Sequence, residues 1–170
     1  MIAKKYLKLS AVLITGLFSF DVSMAETKSV GASTKLEIPR YVSTKSKPVN
    51  VRTGPGRRYP IRTVFKQKVP VKIIDEYLDW RKVEDWEGGN GWIHKALLTG
   101  KRLGTIQVAT TNIYKSDKPS GVIAKVGEFV VVKIDSCDTK WCYVNLPDHD
   151  INGYIDQRHI WGVKENERIN

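Results

Sequence analysis

The chain has 170 residues, with 28 Lys and Arg against 18 Asp and Glu, for a formal net charge of +10 at pH 7. At 41% hydrophobic and 27% charged residues it can bury a core, which excludes a disordered polyelectrolyte. Its length excludes a single-core enzyme such as an α/β barrel of about 250 residues. Beyond the N-terminus no apolar run approaches the roughly 20 residues of a membrane span, which excludes an embedded transporter or channel.

The chain opens on Lys4, Lys5 and Lys8, followed by the apolar run Leu9 to Phe20 and the small-residue site Ser23-Met24-Ala25. Charge, short apolar segment and cleavage site in that order predict a secretory signal over residues 1–25, with Ala25 the last residue removed. The product is expected outside the cytoplasm, periplasmic or secreted, with no transmembrane span in the mature chain. Residues 26–38 are small and polar and read as a flexible leader. Cys137 and Cys142 remain after cleavage, and two cysteines in an oxidising compartment predict one disulfide. With His149 and His159 they do not make a metal-ligand spacing, so no metal is expected.

The remainder is one unit written twice. Val49-Asn50-Val51-Arg52 returns 62 residues later as Thr111-Asn112-Ile113-Tyr114, and Gly91-Trp92-Ile93 returns as Gly153-Tyr154-Ile155. Between them, Val69 to Ile74 answers Phe129 to Ile134, and Asp79 to Val83 answers Lys140 to Val144. Landmarks in constant order at near-constant offset signal a tandem duplication. Short runs rich in Val and Ile, punctuated by Thr53-Gly54-Pro55-Gly56 and Glu87 to Gly91, predict strands and turns. Cys137 and Cys142 fall at the ends of a predicted hairpin turn, a staple for which the first unit has no cysteine counterpart. Trp80, Trp92, Trp141 and Tyr154 recur at equivalent positions and are expected as core fill. The predicted division is residues 39–99 for the first unit, 100–104 for a linker, 105–163 for the second unit and 164–170 for a frayed tail.

Val49-Asn-Val-Arg-Thr-Gly-Pro-Gly56, Trp80 with Val83, and Gly91-Trp92-Ile93 resemble the bacterial SH3-like domain family. The second unit lacks the Arg and Gly-Pro-Gly of that opening but keeps Cys137 to Val144, Gly153-Tyr-Ile155 and Ile160 to Val163. Together the strings resemble the exported double-repeat bacterial SH3-like proteins of proteobacteria. The resemblance implies an all-β fold, two tandem SH3-like β-barrels of five to six strands each. It also implies a binding module of the kind that accompanies cell-wall hydrolases and holds peptidoglycan, although no hydrolase domain is present here.

No catalytic constellation stands out, so no enzyme activity and no cofactor are expected. Asp148, His149 and Asp150 read as a solvated loop, and Asp75 to Glu87 as a soluble acidic face. Charge is the stronger signal. Residues 35–72 hold eleven Lys and Arg against Glu37 alone, a field that attracts anionic polymers or keeps a surface solvated. Arg52, Arg57, Arg58, Tyr59 and Arg62 combine charge and an aromatic ring in one loop, and Trp86 sits in a turn with no counterpart in the second unit. These six are the candidate ligand-binding residues, and the partner is a cell-wall polymer such as peptidoglycan. The alternative is an adaptor that holds an extended peptide of an envelope protein in an aromatic groove. Nucleic-acid binding, open to small basic β-barrels, is not expected of an exported chain.

Overall fold

The computed structural model describes residues 29–170 apart from Ser46, Gln67 and Pro147. The signal sequence assigned to residues 1–25 lies outside the described residues. A short hairpin comes first, β1 (Ser29–Val30) with β2 (Glu37–Ile38). The first unit follows as β3 (Arg40–Thr44), β4 (Val49–Arg52), β5 (Ile61–Phe65), β6 (Pro70–Tyr77), β7 (Trp80–Glu84), β8 (Asn90–His94) and β9 (Leu98–Thr99). The second repeats the series as β10 (Leu103–Ile106), β11 (Thr110–Tyr114), β12 (Val122–Gly127), β13 (Val131–Cys137), β14 (Trp141–Leu146), β15 (Ile151–Asp156) and β16 (Ile160–Trp161).

The two sheets have seven strands each rather than five or six, in the orders β5-β4-β8-β7-β6-β3-β9 and β12-β11-β15-β14-β13-β10-β16. These are the same order, strand for strand. Even the irregularities coincide. The ladder slips between Val51 and Arg52 in one unit and between Ile113 and Tyr114 in the other. A second slip falls between Ile73 and Asp75, and again between Ile134 and Ser136. Bulges of this kind bend a strand and raise its twist, so the sheets curl alike. Each closes its concave face on one aliphatic cluster: Val49, Val51, Val71, Ile73, Val83 and Ile93 in the first, Ile113, Val132, Ile134, Val144 and Ile155 in the second. The duplicated glycines permit the closure. A Cβ on Gly91 would lie 2.5 Å from Val51 Cγ1, and one on Gly153 would lie 2.5 Å from the Tyr114 carbonyl oxygen.

Strand alternation corrects the expectation for the rings. Ile93 faces inward, so its neighbour Trp92 faces out. Trp80, Trp92 and Tyr154 are half-buried on the outer surface, and among the four repeated rings Trp141 alone is buried. Branched aliphatics pack the barrels instead.

Segments read from composition as loose chain are held by specific contacts. In the leader, residues 29–38 pair as β1 and β2, Ile38 enters the first core, and Ser33 and Thr34 bind Glu76. Within the linker, Leu103 and Gly104 are buried in β10. In the tail, Ile169 exchanges two backbone hydrogen bonds of 2.9 Å with Cys137. Small polar residues look mobile by composition, yet their backbone groups satisfy the open ends of the two hairpins.

Candidate binding surface

The loop from Arg52 to Arg62 is built on its own backbone. Thr53 N donates to the Pro60 carbonyl at 3.1 Å, and Tyr59 N to the Gly56 carbonyl at 3.2 Å. The Tyr59 ring lies over Gly54, where a Cβ would meet ring carbon at 2.4 Å, so the Gly-Pro-Gly string leaves room for that ring. Arg52 is half-buried at the end of β4, and its Nη1 donates to the Tyr59 carbonyl at 2.7 Å. Arg62 Nη1 donates to the Asn90 carbonyl at 2.9 Å, tying β5 to the start of β8. Two of the four arginines are therefore struts.

Arg57 and Arg58 are exposed. The Arg58 guanidinium lies 5.2 Å from the Tyr59 ring centre, in cation–π range, and its Nη2 donates to the Tyr59 hydroxyl at 3.4 Å. Neither makes an ion pair among the described residues. Trp86 stands in the β7–β8 turn, which Asp85 closes by accepting from Glu87 N and Gly89 N. Its ring is half-buried, and its Nε1 is buried with no partner among the described residues. It is less exposed than a turn position with no repeat counterpart implies.

Cys137 and Cys142 form a disulfide, with their Cα atoms 4.0 Å apart. The pair faces across the β13–β14 ladder, where the turn spacing places it. Asp138 closes the turn by accepting from Lys140 N and Trp141 N, and these bonds hold its carboxyl below the usual range.

A second surface escapes reading by composition. Register places Arg52, Trp92 and Lys82 side by side across β4, β8 and β7. The equivalent row on the second barrel is Tyr114, Tyr154 and Tyr143. Tyr143 and Tyr154 meet edge to face at 5.0 Å, and Tyr114 meets Trp141 edge to face at 5.7 Å. The Tyr143 hydroxyl donates to Asn152 Oδ1 at 2.7 Å, and Asn112 Nδ2 donates to the Tyr114 hydroxyl at 3.1 Å. A groove of about 400 Å³ runs beside Tyr114 and Trp141, past Pro119, Lys140 and Arg158. The signal for this row was the repeat itself. Its three outward positions change from cation–aromatic–cation to all tyrosine.

Among the described residues, no group of three or more His, Cys, Asp or Glu side chains is placed to hold a metal. No helix among them is long and apolar enough to cross a membrane.

Compared with known protein families, residues 45–100 match the bacterial SH3 domain. The matched stretch carries the arginine loop and strands β4 to β9. No curated protein matches the chain. Among solved structures it is similar to NlpC2 from Trichomonas vaginalis, at 17% identity and a TM-score of 0.35, over 72% of this chain and 48% of that one. It is similar also to NlpC1 from Trichomonas vaginalis, at 17% identity and a TM-score of 0.36, over 77% and 48%. The chain spans about half the length of these two structures.

Proposed function

We propose that this protein is a non-catalytic, exported binding module that engages an anionic component of the cell envelope, peptidoglycan first, through the arginine loop of its first barrel. One observation carries the reading: Arg57 and Arg58 stand exposed, without carboxylate partners among the described residues, on a loop that Arg52, Tyr59 and Arg62 hold in place. A preorganised loop loses little conformational freedom on binding, and unpaired guanidinium groups suit the carboxylates of a wall polymer. The match to the bacterial SH3 domain over residues 45–100 supports a cell-wall role, since that stretch contains the loop. The signal-like N-terminus and the disulfide support export.

Retention of the protein on insoluble peptidoglycan, compared at low and high salt, tests it. Retention is expected at low salt, with a steep fall at high salt, and loss in an Arg57→Glu/Arg58→Glu variant. No retention at either salt would end the cell-wall reading. A second reading, an adaptor for an extended envelope peptide, is favoured by the tyrosine row and its groove on the second barrel. A contact carried by those aromatic rings, rather than by Lys140 and Arg158 beside them, persists at high salt.

A further inference from the structure

The surface where the two barrels meet holds a feature that neither barrel has alone. A cleft of about 290 Å³ opens between them, and four exposed lysines line it, their stems included: Lys45, Lys68 and Lys101 from the first barrel and the chain that leaves it, and Lys133 from β13 of the second. No carboxylate lines the cleft. Lys133 has Asp135 as a neighbour, whereas Lys45, Lys68 and Lys101 have no acidic partner among the described residues. We infer that this cleft is a binding site for a compact, multiply charged phosphate-bearing anion, separate from the arginine loop and independent of the function proposed for it.

Three observations distinguish it from a merely solvated basic surface. First, the rim is fixed. Buried Ser43 donates from Oγ to the Lys101 carbonyl at 2.8 Å, and buried Thr44 accepts from Val69 N at 2.9 Å, beside Lys68. Second, the lysine at the turn is specific to this side of the seam. Lys68 has a φ of 53° and Phe129 a φ of 64°; the matching slips after Ile73 and Ile134 make these two equivalent, one residue off the sequence alignment that set Phe129 opposite Val69. The left-handed turn thus belongs to the fold, while the charge at its tip does not. Third, the cleft is concave and shared by two domains, the setting in which ligand sites recur.

The chemistry of the donors selects the anion. All four cations are lysines, compact point charges with rotatable donors of the kind that bind phosphate without a fixed fork geometry. The hydroxyl of Thr99 adds a further polar group to the lining. The volume suits one or two linked phosphate groups, presented by a small soluble molecule or by a lipid headgroup.

Titration calorimetry of the full chain with inorganic pyrophosphate tests the site. Saturable one-to-one binding is expected, weakened by salt and reduced about tenfold in a Lys68→Glu/Lys101→Glu variant. A Lys68→Gln/Lys101→Gln variant, which removes charge without reversing it, is expected to lose less. The Arg57→Glu/Arg58→Glu variant is expected to bind pyrophosphate as the native protein does. Absence of saturable binding, native affinity in both lysine variants, or an equal loss in the arginine variant would each overturn the proposal. Co-sedimentation with phosphatidylglycerol vesicles, absent with phosphatidylcholine and reversed by pyrophosphate, would support a headgroup as the natural source. Failure to co-sediment alongside intact pyrophosphate binding would support a soluble one.

Discussion

Glu76 shows how much one side chain can organise. It is fully buried, and burial alone would push its carboxyl up. Arg40 Nη2 at 2.6 Å, the Thr34 hydroxyl at 2.8 Å and the Thr34 and Ser33 amides at 2.8 and 3.0 Å reverse that tendency. With Arg81 Nε at 3.3 Å they hold the pKa down to about 2, against an ordinary 4.5. Because the folded value is the lower one, the stabilisation is complete above about pH 4.5 and is lost as the pH falls toward 2. Glu76→Gln keeps the shape but leaves the buried Arg81 without its counter-charge. Removing one partner of a buried pair costs about 3–5 kcal/mol, so urea unfolding at neutral pH should show a loss of that order. Between pH 5 and 2, its stability should also fall less steeply than that of the native protein. Equal stability of the two proteins at neutral pH would mean that Glu76 is not the organising group.

At the scale of elements, the β6–β7 and β13–β14 hairpins are the same object fastened in two ways. Glu76 faces Arg81 in one, and Cys137 faces Cys142 at the equivalent register in the other. The first hairpin was expected to lack a staple, but it has an ionic one, and a segment from outside the barrel covers the end of each, Ser33-Thr34 in the first and Ile169 in the second. The offset of 61 already aligned these four residues. What concealed the pairing was the acidic run around Glu76, which by composition reads as solvated. A Glu76→Cys/Arg81→Cys variant should therefore oxidise to a second disulfide, seen as the absence of free thiol. It should keep the hairpin but release residues 29–36, which would then be cut early in limited proteolysis. Protection of that segment in the oxidised variant would show that Glu76 does not dock it. The arginine loop was harder to read. Charge and position placed Arg52, Arg57, Arg58 and Arg62 together, but the direction of each follows from which backbone carbonyl lies in reach, and spacing does not encode that.

For the whole molecule, the duplication was legible because core alternation and close-packed glycines leave a fixed pattern, but the joint between the copies was not. Its principal residue, Arg102, stands in the segment read as a linker. The guanidinium donates to both carboxylate oxygens of Glu167 at 2.9 Å and to the Gly162 carbonyl at 2.6 Å, and lies 5.6 Å from the Tyr41 ring. Tyr41 in turn meets Trp161 of the second barrel edge to face at 5.1 Å, and Lys164 pairs with Glu37 at 2.6 Å. The linker is thus a fastener, and the two barrels should unfold together. Arg102→Ala removes charged hydrogen bonds worth about 2 kcal/mol and the stacking on Tyr41. Calorimetry should then resolve two transitions where the native protein gives one. Reduction of Cys137–Cys142 provides the assignment, since the disulfide lies in the second barrel and only that barrel's transition should move to lower temperature. A single transition in the variant would mean that Arg102 does not couple the barrels. Two transitions that both shift on reduction would mean that the barrels remain joined after the arginine is gone.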